Sequence, residues 1–189
     1  MSKVPRSDAT VALDGDATAE GNGDLRLLVL MRHAEAQGFS SGGDLGRELT
    51  AAGAAAAQEV GRWLSDQGVR PDAVVVSPST RTRQTWEGLR AAGLSADSAW
   101  ADEALYDADP EDIVESVQSV PDDVRTLVVI GHAPGIPFLA GGLARRLPQG
   151  AGGEAGLGWP PAAVAVIGHR GSWTAFPDEE SAIVAFRRP

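Results

Sequence analysis

The sequence predicts a three-layer α/β/α sandwich with a mostly parallel central sheet and an antiparallel edge. Three short apolar segments are typical of strands buried on both faces: 25–31 (LRLLVLM), 73–76 (AVVV) and 127–130 (LVVI). Segments with helical periodicity separate them, which favours parallel pairing. Two later apolar segments, 163–167 and 182–186, have no helix between them, so they predict the antiparallel edge.

The helices are predicted from their caps and from the spacing of apolar residues. Thr50 is expected to cap the first helix, in which Gly53 and Gly61 lower the helix propensity. Asp109 is expected to cap the third helix, with Pro110 at its first helical position. The four predicted helices span 51–67, 81–92, 109–120 and 136–147.

One domain is predicted over residues 25–189, a length that can bury a hydrophobic core. Residues 1–24 are rich in Asp, Ala, Gly and Thr without periodicity, which is typical of a flexible leader. Near the C-terminus, 168–172 (GHRGS) is interpreted as a turn with an exposed His169, and 171–176 as a possible further strand.

Charge and composition exclude several function classes. A formal net charge of −10 argues against nucleic-acid binding as the main role. The chain has no cysteine, so disulfides, thiolate catalysis and cysteine metal sites are ruled out. No apolar run approaches the length of a membrane span, and no signal core is present, so a cytoplasmic location without membrane contact is expected.

Cationic residues follow the three predicted buried strands at the point where each strand ends. Arg32 and His33 follow the first strand, Arg81 follows the second within a short turn, and His132 follows the third. Functional sites in open α/β sheets form beyond the carboxyl ends of the strands. We therefore expect these four side chains to meet at one edge of the sheet.

The residue types at this edge are suited to phosphoryl transfer. Arginines offer forked N–H donors to phosphate oxygens, and a neutral imidazole can attack phosphorus. Nearby arginines would keep His33 neutral, and a backbone carbonyl on its other ring nitrogen would fix the tautomer. His132, if protonated, would add a further donor. Two imidazoles beside arginines fall short of a metal site, so no metal and no cofactor is expected.

Four sequence blocks on these strand ends resemble one known family in their order along the chain. They are 28–36 (LVLMRHAEA), 49–53 (LTAAG), 76–85 (VSPSTRTRQT) and 128–136 (VVIGHAPGI). Together they resemble the histidine phosphatase, or phosphoglycerate mutase-like, superfamily. The Ser-Pro-x-x-Arg-x-x-Gln-Thr block at 77–85 and the Gly-His-x-Pro-Gly loop at 131–135 are most similar to the SixA-type phosphohistidine phosphatases. The resemblance implies the phosphoglycerate mutase-like fold and an open site that admits a phosphorylated protein.

The resemblance also implies residue roles. His33 would form a covalent phosphohistidine intermediate, Arg32 and Arg81 would bind the phosphoryl group, and His132 would stabilise the transition state. The implied general acid is Glu103, in a segment (DEALY) similar to that of the mutase-like branch.

Some points stay open at the level of sequence. Glu35 is an alternative acid, and a phosphohistidine leaving group needs little acid help. Ala34 stands where the family signature has glycine. The alternative functions are a small-molecule phosphomonoesterase of the same superfamily and a non-catalytic phospho-binding module. The physiological substrate and the oligomeric state are not predicted.

Overall fold

The computed structural model of the chain describes residues 25–144 and 158–189, so the predicted leader and the end of the fourth predicted helix lie outside the described residues. The strands are β1 Leu25–Arg32, β2 Ala73–Val76, β3 Ser98–Ala101, β4 Thr126–Gly131, β5 Val164–Arg170 and β6 Ala182–Arg187. The α-helices are α1 Ala51–Asp66, α2 Thr80–Ala91, α3 Pro110–Gln118 and α4 Gly135–Ala144.

The sheet has the order β3-β2-β4-β1-β5-β6 across the described residues. The pairs β1–β4, β2–β4 and β2–β3 are parallel, whereas β1–β5 and β5–β6 are antiparallel. This confirms the predicted mostly parallel sheet with an antiparallel edge. Since β2, β4 and β1 are neighbours and run the same way, their carboxyl ends meet at one edge.

Helices cover both faces of the sheet and create two apolar cores. Leu28 and Leu30 of β1 point into the core that α3 and α4 cover. Val29 and Met31, which alternate with them, point into the core that α1 and α2 cover. All four side chains have no exposed surface. The strand is therefore apolar at successive positions because each face is buried.

Helix caps follow the sequence signals. The side chain of Thr50 accepts a hydrogen bond from the backbone N–H of Gly53 at 2.9 Å. Asp109 accepts from the backbone of Asp112, whose own side chain accepts from the backbone N–H of Asp109, and Pro110 opens the helix. These contacts satisfy N–H groups that a helix start leaves without partners.

The structure contains one strand that the sequence did not predict, β3, and has a 3-10 helix in place of the possible strand over 171–176. No strand is predicted from the sequence at β3, because its four residues are exposed and form a short sheet edge without an apolar pattern. The possible strand over 171–176 is wrong. A 3-10 helix over Trp173–Ala175 lies there, because Ser172 caps it and Asp122 accepts a hydrogen bond from the Trp173 N–H.

His169 is buried, and the expectation of an exposed turn histidine is wrong. β5 extends to Arg170, so this histidine lies inside the sheet region rather than in a turn. Its ring nitrogens lie 3.0 Å from the Ser181 hydroxyl and 2.9 Å from the Ser172 carbonyl oxygen. Paired in this way at both nitrogens, the imidazole contributes to packing far from the strand ends that carry the other histidines.

No helix within 25–144 or 158–189 is both long enough and apolar enough to cross a membrane.

Candidate active site

His33 follows β1 directly and is buried at the carboxyl edge of the sheet. Its Nδ1 lies 2.7 Å from the carbonyl oxygen of Ala34. A carbonyl only accepts, so Nδ1 carries the proton and the lone pair is on Nε2, which has no hydrogen-bond partner among the described residues. Burial and the nearby Arg81 and Arg32 lower the pKa of His33 to about 4, so the ring is neutral at pH 7.

Ala34 is held from a second direction by α2. Its backbone N–H donates to the hydroxyl of Thr85 at 3.0 Å, and that hydroxyl donates to the carbonyl of Arg81 at 2.7 Å. The Ala34 side chain is fully buried in the core beneath. The alanine that replaces the signature glycine therefore fits. Its carbonyl orients the His33 ring, and its N–H connects the loop to α2.

His132 follows β4 and faces His33, with 5.1 Å between the two ring centroids. Its Nδ1 lies 3.2 Å from Nη2 of Arg81 and its Nε2 lies 2.8 Å from the hydroxyl of Ser77. Because a guanidinium can only donate, Nδ1 accepts and Nε2 donates to Ser77. Burial and the charge of Arg81 lower the pKa of His132 to about 3, so this ring is also neutral.

The two arginines reach the histidines from different elements. Arg32 ends β1 and donates from Nη1 to the carbonyl of Trp159 at 2.6 Å, and burial lowers its pKa from the usual value. Arg81 lies in the first turn of α2 and is buried. The Nε groups of both arginines are buried without an acceptor among the described residues. Buried donors of this kind need an acceptor, and an oxyanion supplies several.

Asp44 also contacts the site, and the sequence interpretation missed it. It lies in the excursion between β1 and α1, in a short 3-10 helix. Its Oδ2 lies 2.9 Å from Nη2 of Arg81 and accepts from the Tyr106 hydroxyl at 2.6 Å, while Oδ1 accepts from Arg47 at 3.0 Å. The bonds from Tyr106 and Arg47 hold the pKa of this carboxyl well below its usual range.

Tyr106 and Ser77 complete the surroundings of His132. The ring of Tyr106 meets His132 edge-on, with 5.7 Å between centroids. Ser77, in the short turn that follows the second predicted strand, also binds the imidazole. The usable signal for Ser77 was its place directly after β2, at the same edge as the histidines. Tyr106 offered a weaker signal, since it belongs to the same segment as Glu103.

The structure places the two candidate acids on different segments. Glu103 is exposed in a 3-10 helix over Glu103–Leu105 that follows β3 and leads to Tyr106. Glu35 is also exposed, and its carboxylate accepts from the hydroxyl of Thr50 at 2.9 Å. Glu103 thus belongs to the segment that brings Tyr106 to His132, whereas Glu35 is bound at the start of α1.

Sequence comparison identifies the family. The model of the histidine phosphatase superfamily (branch 1) matches residues 28–122. An uncharacterized protein of Mycobacterium tuberculosis (strain ATCC 25618 / H37Rv) is 33% identical over 165 residues, which are 84% of this chain and 99% of the relative. An uncharacterized protein of Mycobacterium leprae (strain TN) is 29% identical over 164 residues, with the same coverage.

Comparison with solved structures gives the branch. A protein of Nakamurella multipartitia assigned as a phosphohistidine phosphatase SixA is 34% identical, with a TM-score of 0.78 over 87% of this chain and 96% of that one. A protein of Agrobacterium tumefaciens with the same assignment is 24% identical, with a TM-score of 0.69 over 87% of this chain and 98% of that one. It shares the fold. These matches support phosphatase activity. The chain belongs to the histidine phosphatase superfamily (branch 1), in its SixA-type branch.

Proposed function

We propose that the chain hydrolyses phosphohistidine on a protein partner through a covalent phosphohistidine intermediate on His33. The observation that carries this proposal is the His33 ring itself. It is neutral, its Nδ1 proton is bound to the Ala34 carbonyl, and its Nε2 lone pair is unbonded among the described residues. The buried Arg81 and the half-buried Arg32 are the cations nearby. A nucleophile in this state needs no base to remove a proton before it attacks.

In the first step, Nε2 of His33 donates its lone pair to phosphorus while the bond from phosphorus to the leaving group breaks. Arg32 and Arg81 bind the phosphoryl oxygens, on which negative charge is spread in a loose transition state. His132 stabilises those oxygens once its Nδ1 is protonated, because its Nε2–H is already donated to Ser77. The negative charge of the phosphoryl group beside Nδ1 favours that protonation. The leaving group keeps the bonding electron pair and takes a proton, for which Glu103 is the proposed donor. A leaving imidazole is a better leaving group than an alkoxide and depends less on that donor.

In the second step, water attacks the phosphorus atom of the intermediate. The bond from phosphorus to Nε2 breaks, and the electron pair returns to the imidazole. The carboxylate of Glu103, which gave up its proton in the first step, takes one proton from the water, and inorganic phosphate leaves. His33 regains its starting tautomer because Nδ1 stays bound to the Ala34 carbonyl throughout.

Exposed apolar side chains near the site favour a protein substrate over a small one. Phe39 is 80% exposed and belongs, with the exposed Leu45, to the excursion that carries Asp44. Phe138 is also exposed, on the first turn of α4 directly after the His132 loop. Exposed apolar surface next to a functional site is typical of protein recognition. The name of the 34% identical Nakamurella multipartitia protein gives the same substrate class.

Trapping of the intermediate tests the nucleophile. We expect wild-type protein to become labelled on histidine by radiolabelled phosphoramidate, and His33→Ala to lose both the label and turnover, by on the order of a thousandfold or more. Arg83→Ala is the matched control, since this exposed arginine lies two residues after Arg81. Labelling of histidine in the His33→Ala protein would exclude His33 as the nucleophile.

A substrate panel tests the substrate class. We expect a phosphohistidine protein or peptide to have a higher kcat/KM than sugar phosphates and p-nitrophenyl phosphate. Higher turnover of sugar phosphates would instead identify a small-molecule phosphomonoesterase. Binding of phosphopeptide with no hydrolysis of any substrate would identify a non-catalytic phospho-binding module.

A further inference from the structure

We propose that Asp44 is an internal anion that occupies the phosphate-binding end of Arg81 and that the incoming phosphoryl group displaces. The inference rests on the proposed function, because it takes Arg81 as a phosphate ligand. It assigns to Asp44 a role in setting phosphate affinity.

The contacts of Arg81 show what Asp44 occupies. Nη1 donates to the main-chain carbonyl of Asp44 at 2.8 Å, and Nη2 forms an ion pair with the carboxylate Oδ2 of the same residue at 2.9 Å. Nη2 also donates to Nδ1 of His132 at 3.2 Å. Nε is buried without an acceptor among the described residues. A forked grip on phosphate needs two parallel N–H donors, so a grip through Nε and Nη2 requires Nη2 to turn from one of its two partners.

The carboxylate of Asp44 is the partner that can leave. The Asp44 side chain is 48% exposed, whereas that of Arg81 is 6% exposed, so rotation of Asp44 into solvent moves no buried group. The main-chain carbonyl of Asp44 still holds Nη1 after the side chain turns away. Arg81 thus stays in place while its Nη2 becomes free for phosphate.

Charge makes the exchange a competition between two anions. Asp44 stays ionised in the neutral range because Tyr106 and Arg47 both bind its carboxylate. A phosphate ester with nearly two negative charges repels that carboxylate and binds the same guanidinium. Both the substrate and the product phosphate must displace the Asp44 carboxylate from Arg81, which makes their binding less favourable. Asp44 therefore weakens binding of inorganic phosphate and favours its release after hydrolysis.

The proposal is tested by calorimetric titration of inorganic phosphate into wild-type protein and Asp44→Asn. Asparagine keeps the shape of the side chain but removes the competing charge. We expect phosphate to bind Asp44→Asn about tenfold more tightly, which corresponds to about 1.4 kcal/mol. Glu48→Gln is the matched control, because it removes one negative charge from an exposed position in the same excursion. We expect its affinity to stay within about twofold of wild type.

Tyr106→Phe separates competition from simple repulsion. This variant keeps the charge of Asp44 but removes the 2.6 Å hydrogen bond that helps to hold the carboxylate on Arg81. Competition predicts phosphate binding that is tighter by about threefold, whereas repulsion alone predicts no change. Thermal unfolding of each variant shows that it is folded before titration.

The outcomes distinguish this inference from the proposed function. If wild type binds phosphate and Asp44→Asn binds it equally or more weakly, Asp44 is not a competitor and the inference is overturned, while the phosphatase proposal stands. The same holds if Tyr106→Phe leaves the affinity unchanged. If neither wild type nor Asp44→Asn binds phosphate, Arg81 does not belong to a phosphate-binding site, and both proposals are overturned.

Discussion

At the scale of single residues, the state of the His33 ring depends on one neighbour. The Ala34 carbonyl holds the Nδ1 proton, and the Ala34 N–H is itself fixed by Thr85 on another element. A histidine with free rotation would present either nitrogen, whereas this one presents Nε2. The proposed nucleophile is thus oriented by backbone groups of Ala34, which a change of the Ala34 side chain does not remove.

The proton donor is tested by the dependence of rate on the leaving group. We expect Glu103→Gln to lower kcat/KM by about a hundredfold for an alkyl phosphate, whose alkoxide needs a proton, and to have little effect on p-nitrophenyl phosphate. Glu35→Gln is the matched comparison, since Thr50 binds that carboxylate at the start of α1. An equal loss on both substrates would assign Glu103 a positioning role. A selective loss in Glu35→Gln would make Glu35 the acid.

At the scale of elements, glycines allow α1 to approach its neighbours closely. A Cβ built on Gly53 would overlap the carbonyl oxygen of Glu35, in the loop that follows His33. One built on Gly61 would lie 2.9 Å from the backbone of Leu89 on α2. The sequence interpretation treated both glycines only as weak helix formers. Their low propensity is offset by close packing that any side chain would prevent.

Gly53→Ala tests this packing. We expect it to lower the free energy of unfolding by about 3 kcal/mol and to reduce kcat/KM, because Glu35 must move and the His33 loop moves with it. The check is urea unfolding together with steady-state kinetics. Gly142→Ala is the control, since no described atom lies within 4 Å of its Cβ position on α4, and we expect it to stabilise by about 0.5–1 kcal/mol. A wild-type Tm for Gly53→Ala would contradict the close approach.

At the scale of the whole molecule, two neutral histidines couple stability to pH. An unfolded histidine takes up a proton near its usual pKa of 6.5, whereas His33 and His132 do so near 4 and 3 in the folded chain. Between these values the unfolded state binds more protons. The free energy of unfolding therefore falls as pH decreases below about 6.5, and the stability that both rings contribute is complete above that pH.

Comparison with His33→Gln measures this coupling. Between about pH 7.5 and pH 5 we expect wild type to lose about 2 kcal/mol more stability than the variant, because glutamine has no proton to take up. Urea unfolding at the two pH values gives the difference, and carboxylates titrate alike in both proteins. An equal loss in both proteins would mean that His33 protonates in the folded state as it does in the unfolded one.

Much of the fold and the four central residues follow from local patterns in the sequence. Strands buried on both faces are apolar at successive positions, so β1, β2 and β4 were recognisable without any partner. Parallel strands that run alternately with helices must present their carboxyl ends at one edge. Arg32, His33, Arg81 and His132 come together there for that reason. Their catalytic roles remain proposals.

Only the tertiary structure decided which other groups contact these four. The carboxylate of Asp44 reaches Arg81 because an irregular excursion folds back over the sheet edge, and Tyr106 arrives from beyond an exposed edge strand. His169 is buried because β5 extends to Arg170 and the rings of Trp173 and Phe176 pack against the imidazole. Irregular segments and short edges have no periodicity to predict from. Their positions depend on contacts between residues far apart in the chain. The sequence alone therefore determined the strand ends with Arg32 and Arg81. Only the tertiary structure determined that the carboxylate of Asp44 lies beside Arg81.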